Sequence, residues 1–214
     1  MAKYILTSTF LDGIHREIST RLVELIQKRT CFAFIASNFE KDFEKTDRYF
    51  SYFLKMFEDI SIIFDKAYTI DGRRSLQEMQ DIVKRSDVVW LAGGDSPAQM
   101  EYLKKYGLDH IIKNHNGVII GMSAGAINLG KTSICTISSG HNIQMVYSGL
   151  GCVNISVEPH FCLENDCREI LELSKNNLIY GLCDESMIVC DDNKIEYYGK
   201  IFKIQNQKII MLNE

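Results

Sequence analysis

The chain has 214 residues, of which 46% are hydrophobic and 24% are charged, and its formal net charge is −4 at pH 7. This length and composition fit one ordered domain over residues 1–214, and the acidic balance provides no overall attraction to a phosphate backbone. The sequence therefore disfavours a disordered chain and a nucleic-acid-binding protein.

The N-terminal segment Tyr4–Ser8 is apolar and short, which is typical of a first strand and not of a secretory signal. No apolar run reaches the roughly 18 residues of a membrane span. The seven cysteines are odd in number and form no C-x-x-C pair, so neither a disulfide framework nor a zinc site is predicted. We expect a cytoplasmic protein without metal, cofactor or membrane partner.

Short apolar segments alternate with stretches of helical period through the first half of the chain. Strands that are apolar at nearly every position are covered on both faces, so the pattern predicts β-α-β units and a parallel sheet with helices on both sides. Functional side chains are then expected directly after strands. In chain order, the predicted elements are strand Tyr4–Ser8, a helix with Ile14, Ile18, Leu22, Leu25 and Ile26 on one face, strand Cys31–Ala36, helix Asp47–Glu58, strand Ile60–Phe64, helix Ser75–Arg85 and strand Val88–Leu91.

Aromatic residues are concentrated within the predicted helix Asp47–Glu58. A ligand-binding box is one interpretation, but the helical spacing favours a helix face that packs on the sheet. The residues concerned are Tyr49, Phe50, Tyr52, Phe53 and Phe57.

Beyond about Gly140 the pattern changes to short strands separated by turn residues, which is typical of an antiparallel meander at the edge of the sheet. Unpaired edge strands are compatible with a monomer or a homodimer. The predicted strands are Ile179–Cys183, Met187–Cys190, Lys194–Tyr197, Ile201–Ile204 and Lys208–Met211.

The segment Gly117–Ala126 is an apolar strand that runs into G-x-S-x-G and a helix start of small residues. This spacing is typical of a nucleophile elbow, in which a strained turn exposes the hydroxyl of Ser123, although the same pattern also occurs in ordinary β-α turns. The N–H of Ala124, at the helix start, is a candidate oxyanion donor. Gly94, after strand Val88–Leu91, is our candidate for the second donor, a phosphate-binding loop or a plain turn being the alternatives.

A serine nucleophile needs a base, and histidine is the usual one. His160 follows the apolar segment Val153–Val157 at an expected strand end, whereas the other four histidines lie in helical or loop stretches. The carboxylate that would orient the imidazole is left open by spacing, since Glu158, Asp184 and Glu185 all follow strands.

The segments G-M-S-A-G-A, A-G-G-D and E-P-H-F, with R-E-I-L-E-L at Arg168–Leu173 and G-L-C-D-E-S at Gly181–Ser186, resemble the aspartyl dipeptidase (dipeptidase E) and cyanophycinase family. The resemblance implies a class I glutamine amidotransferase-like fold, an α/β three-layer sandwich with a mostly parallel, doubly wound sheet. It also implies Ser123 as nucleophile, His160 as base, and Gly94 and Ala124 as oxyanion donors.

The resemblance further implies that Arg168 grips the substrate carboxylate, the alternative being a solvated helix residue. Some of these dipeptidases carry an acid fifteen residues after the serine, where this chain has Ser138. Glu185 is then the better candidate to orient His160, with Ser138 as a weaker alternative. We expect a serine-type peptidase acting on small peptides, including dipeptides with N-terminal aspartate. The second hypothesis is a catalytically weak member that binds a small metabolite or peptide in the same cleft.

Overall fold

The computed structural model describes residues 2–138, 140–191 and 194–213. Within them the strands are β1 Lys3–Thr7, β2 Cys31–Ile35, β3 Lys66–Ile70, β4 Val88–Leu91, β5 Val118–Met122, β6 Thr132–Cys135, β7 Met145–Ser148, β8 Ser156–Pro159, β9 Ile179–Leu182, β10 Met187–Asp191, β11 Lys194–Tyr198, β12 Ile201–Gln205 and β13 Lys208–Asn213. The helices are α1 Arg16–Leu25, α2 Phe43–Asp59, α3 Leu76–Arg85, α4 Ser96–Lys105, α5 Leu108–Lys113, α6 Ala124–Leu129 and α7 Arg168–Leu173. None of these helices combines the length and the hydropathy that a bilayer span requires.

The central sheet has seven strands in the order β11-β10-β1-β5-β4-β2-β3. Strands β1, β5, β4, β2 and β3 are parallel, and β10 and β11 extend one edge in antiparallel fashion. The prediction of a mostly parallel sheet within an α/β fold is confirmed.

Helices cover both faces of this sheet. Successive side chains of a strand point to opposite faces and therefore enter different cores. Phe34 of β2 packs in the core that includes α1 and α2, whereas the next residue, Ile35, packs in the core that includes α3 to α6. The strands are therefore apolar at consecutive positions, as expected for a sheet with helices on both sides.

The C-terminal strands do not form one meander, which corrects the prediction made from their spacing. Only β10 and β11 join the central sheet, while β9, β12 and β13 combine with β8 in a second, four-stranded sheet of order β13-β12-β9-β8. Strands β8 and β9 are parallel. Strand spacing along a chain does not determine which sheet a strand joins, because the choice depends on contacts distant in sequence.

The predicted strand Ile60–Phe64 is also wrong, since α2 continues to Asp59 and the next strand, β3, begins at Lys66. The apolar residues between them fill the core without pairing: Ile62 is buried, and Phe64 stacks on Phe32 with 4.9 Å between ring centroids. The true strand is an edge strand with partly exposed side chains, so it lacks the continuous apolar run that identifies central strands.

The carboxyl ends of β1 and β5 in the central sheet meet those of β8 and β9 in the second sheet. Three hydrogen bonds connect the loops after these strands: His160 N donates to Ser8 Oγ (2.8 Å), Phe161 N to Leu182 O (2.9 Å) and Glu185 N to Thr9 O (2.9 Å). Side chains that follow four different strands are thereby brought to one place.

Candidate active site

Ser123 lies on the turn between β5 and α6, with φ 50° and ψ −109°. A positive φ is unfavourable for a residue with a side chain, so the surrounding structure must hold this turn in place. Both glycines of G-x-S-x-G permit close packing here. A Cβ on Gly121 would lie 2.6 Å from the Gly125 carbonyl, and a Cβ on Gly125 would lie 2.3 Å from Leu91 O of β4.

Replacing Gly125 by alanine is expected to lower the free energy of unfolding by about 3 kcal/mol, because the new methyl group meets the backbone of a central strand that cannot move aside. Gly13→Ala is the matched control. Its Cβ has no atom within 4 Å and meets only the cost of φ +97°, which is about 1 kcal/mol. Urea unfolding followed by circular dichroism measures both values, and equal losses for the two variants would contradict the packing argument.

His160 follows β8 and joins the serine to a carboxylate. Its Nε2 lies 3.0 Å from Ser123 Oγ, and its Nδ1 lies 2.7 Å from Asp184 Oδ1. A carboxylate can only accept, so the Nδ1 position carries the proton and Nε2 is free to accept from the serine hydroxyl. Both the imidazole and the Asp184 side chain are partly exposed, so a substrate can reach them.

The structure corrects the choice of Glu185 as the residue that orients His160. The Glu185 carboxylate accepts the N–H of Leu11 and lies 3.3 Å from His15 Nε2, whereas the neighbouring Asp184 contacts the imidazole. Consecutive side chains after a strand point in different directions, so only one of the two acids can face the histidine.

The other two candidates for this position make different contacts. Glu158 is buried, and its carboxylate accepts a hydrogen bond from the hydroxyl of Thr136. Ser138 Oγ donates to Thr136 Oγ1 at 3.1 Å, and its backbone N–H donates to Glu169. A Ser-His-Ser arrangement through Ser138 is therefore not what the geometry shows.

Ser8 is a site residue that the sequence analysis missed. It is fully buried at the end of β1; its hydroxyl donates to Asp184 Oδ1 at 2.7 Å and accepts the backbone N–H of His160 at 2.8 Å. One hydroxyl thus holds the acid and the histidine together. Its position directly after a strand is the one signal in the sequence, but nothing there distinguishes it from an ordinary buried serine.

The two predicted oxyanion donors come from the loop after β4 and from the start of α6. Gly94 is in the loop after β4 with φ +142°, and a Cβ there would lie 2.3 Å from Ser37 Oγ, so the position requires glycine. Ala124 is the first residue of α6, where backbone N–H groups have no partner within the helix. Among the described residues, no protein acceptor takes either N–H. We keep both as the predicted oxyanion donors.

Arg168 does not face the nucleophile, which corrects its expected role in gripping substrate. Its side chain is 90% exposed and hydrogen-bonds the carboxylate of Asp166, two residues earlier. These bonds lower the pKa of Asp166 to about 2, so the two charges offset each other. Arg168 belongs to neither of the two larger cavities that border Ser123.

The two cavities that open at Ser123 differ in character. One, of about 460 Å³, is lined by a group of aromatic and apolar side chains and by polar ones that include Asn38 and Thr46. The other, of about 330 Å³, is lined by polar groups that include Asp95, His141 and Asn142, and burial lowers the pKa of His141. Within the described ranges, no group of three or more His, Cys, Asp or Glu side chains is placed to hold a metal ion.

Comparisons with known proteins identify a family and a related sequence. The family model described as peptidase family S51 matches residues 6–198. An uncharacterized peptidase of Bacillus subtilis (strain 168), YgaJ, is 33% identical over 94 residues, which are 42% of this chain and only 40% of that protein.

Two solved structures share the fold. A peptidase from an acI-B1 Actinobacterium has a TM-score of 0.73 at 16% identity, covering 99% of this chain and 94% of that one. A putative peptidase E protein from Listeria monocytogenes EGD-e has a TM-score of 0.67 at 20% identity, covering 92% and 98%.

Proposed function

Because this chain belongs to peptidase family S51, we propose that it is a serine peptidase that hydrolyses small peptides through an acyl-enzyme. Ser123 is the nucleophile, His160 the general base and Asp184 the residue that orients the imidazole. The observation that carries the proposal is the unbroken connection from Ser123 Oγ through His160, at 3.0 Å, to Asp184, at 2.7 Å.

The proposed reaction begins when His160 Nε2 takes the proton of Ser123 as Oγ attacks the peptide carbonyl carbon. The carbonyl oxygen becomes an anion between the N–H groups of Gly94 and Ala124. His160 then gives its proton to the departing amine, the C–N bond breaks, and the acyl group stays on Oγ. Water, deprotonated by the same imidazole, attacks the acyl carbon, and the bond from that carbon to Oγ breaks. Oγ takes the proton back from His160, and the acyl group leaves as a carboxylic acid. Asp184 stabilises the imidazolium at both stages.

Two site features refine the proposal. The contact between Asp184 and His160 supports catalysis over the second hypothesis, a catalytically weak binding protein. Selectivity for N-terminal aspartate depended on Arg168, whose guanidinium pairs with Asp166 in solvent. We therefore propose hydrolysis of small peptides without an aspartate preference.

We also propose a cytoplasmic location and leave the assembly as a monomer or a homodimer. The location is supported by the seven cysteines, all of which are free thiols, because such thiols persist in a reducing compartment.

The proposal is tested by treating the purified chain with a fluorophosphonate probe and with a panel of dipeptides. A serine activated by a histidine reacts covalently with the probe, so we expect one label per chain, located on Ser123 by mass spectrometry, and release of free amino acids from the dipeptides. Absence of both label and turnover would refute the peptidase proposal and support a binding role.

A further inference from the structure

The aromatic residues of α2 divide into two groups, which the spacing alone did not reveal. Phe53 and Phe57 pack on the sheet as predicted, with ring centroids 4.5 and 5.7 Å from Trp90. Tyr49 and Tyr52 are 48% and 42% exposed and do not complete the core. Both line the cavity of about 460 Å³ that ends at Ser123 and His160.

The aromatic and large apolar side chains of this aromatic cavity come from four parts of the fold. The loop after β1, the end of β2, α2 and the end of β5 contribute Phe10, Phe34, Tyr49, Tyr52, Phe53 and Met122. Its volume is within the usual range for small-ligand sites, which is about 300–1,000 Å³. The cavity is open to solvent and reaches Ser123, so an apolar side chain of a substrate could bind in it.

We propose that the aromatic cavity is the specificity pocket for the substrate residue that supplies the acyl group, and that it selects a large aromatic or aliphatic side chain over aspartate. The inference rests on the proposed peptidase function. The side chain that the same site would accept is large and apolar.

The charges around the cavity support this choice. Apart from His160, its charged side chains are Asp42 and Lys45, which have opposite signs. Lys45 Nζ lies 5.9 Å from the centre of the Tyr49 ring and is exposed. A substrate carboxylate in this cavity would lose water without meeting a net positive charge, which is unfavourable. An aromatic side chain would gain stacking and apolar contacts instead.

The cavity borders both the nucleophile and a predicted oxyanion donor, which is the position required of a pocket for the acyl side of the scissile bond. Gly94 and Ser123 line it together with Gly93 and Met122, and Gly94 and Ser123 also line the polar cavity. The acyl side chain branches from the atom next to the attacked carbonyl carbon, so it must lie close to the donors that hold the carbonyl oxygen. The polar cavity that also borders Ser123 would then receive the leaving residue of the substrate.

Tyr52 is the residue that best tests the pocket. Its ring forms part of the wall. Its hydroxyl lies 3.4 and 3.3 Å from the carbonyl oxygens of Phe10 and Leu11 and shares its one proton between them, which connects α2 to the loop after β1. Tyr52→Phe removes only the hydroxyl, whereas Tyr52→Ala removes the wall. Leu76→Ala, at a half-exposed position of α3 outside the cavity, is the matched surface control.

The experiment measures kcat/KM for chromogenic aminoacyl amides that share one leaving group and carry Phe, Leu, Ala or Asp as the acyl residue. Labelling of wild type by the fluorophosphonate probe is measured in parallel. We expect Phe and Leu to exceed Asp by at least about tenfold in wild type. Tyr52→Ala should lower kcat/KM for Phe about tenfold, mainly through KM, and lower the Ala value less. Tyr52→Phe and Leu76→Ala should keep the wild-type order.

The possible outcomes separate the pocket from the chemistry. If wild type is labelled and hydrolyses amides but prefers Asp, or if Tyr52→Ala affects Phe and Ala equally, the pocket inference is overturned while the peptidase proposal stands. If wild type is neither labelled nor active, both are overturned. Equal kcat/KM for the Phe and Asp amides in wild type would also overturn the assignment to the acyl residue.

Discussion

Ser123→Ala is expected to lower kcat for peptide hydrolysis by about 10⁴ to 10⁶-fold and to abolish labelling by a fluorophosphonate. The loss is large because every step of the proposed reaction passes through the Ser123 oxygen, and the remaining oxyanion donors and binding contacts accelerate hydrolysis only weakly by themselves. Folding should be little affected, since the change removes one partly exposed hydroxyl from a turn. Steady-state assays on wild type and variant at equal concentration measure the loss.

Ser138→Ala is the matched control for this variant. Ser138 lies near the site, but its hydroxyl bonds to Thr136 and not to the imidazole, so activity and labelling should stay close to wild type. Turnover by Ser123→Ala at the wild-type rate would refute the acyl-enzyme mechanism. If Ser138→Ala lost labelling and Ser123→Ala kept it, Ser138 and not Ser123 would be the residue that reacts with the probe.

Asp184→Asn is expected to lower kcat by about 10⁴-fold with a smaller change in KM. An amide in place of the carboxylate can donate to Nδ1, which favours the tautomer with the proton on Nε2, and that nitrogen then cannot accept from Ser123. It also removes the charge that stabilises the imidazolium. Glu185→Gln should cause a much smaller loss, because Glu185 contacts Leu11 and His15 and not His160.

The two acids are adjacent in the chain, so this pair of variants tests orientation and not general charge near the site. The measurement is kcat and KM for both variants, with circular dichroism to verify folding. A larger loss in Glu185→Gln than in Asp184→Asn would show that the assignment of Asp184 is mistaken.

The sequence predicted both Ser123 and His160 as site residues, although the strands that precede them lie in different sheets. Ser123 and His160 were both found as residues that directly follow apolar strands. The sequence could not decide between Asp184 and Glu185, since both follow the same strand. The turn there, with φ 63° at Glu185, determines which side chain faces the histidine. Such a turn depends on contacts with the loop after β1, which no local pattern encodes.

Arg168 and the α2 aromatics show a related limit. Helical period predicts which side chains share a face, but it does not say where that face ends and an open cavity begins. Tyr49 and Tyr52 lie at that boundary, and the Tyr52 hydroxyl contacts the loop that carries Phe10 and Leu11. For Arg168, the nearby Asp166 competes with any substrate for the guanidinium, and this competition became evident only from the hydrogen bonds.

The connection between the two sheets has a consequence for biosynthesis. Ser8 and Ser123 follow strands of the central sheet, whereas His160 and Asp184 follow strands of the second sheet. A nascent chain that has emerged from the ribosome only as far as Ser123 therefore has the nucleophile but neither its base nor its acid. On the proposed mechanism, hydrolysis begins only after Asp184 has emerged and the second sheet has docked, so an incomplete or partly folded chain would be inactive as a peptidase.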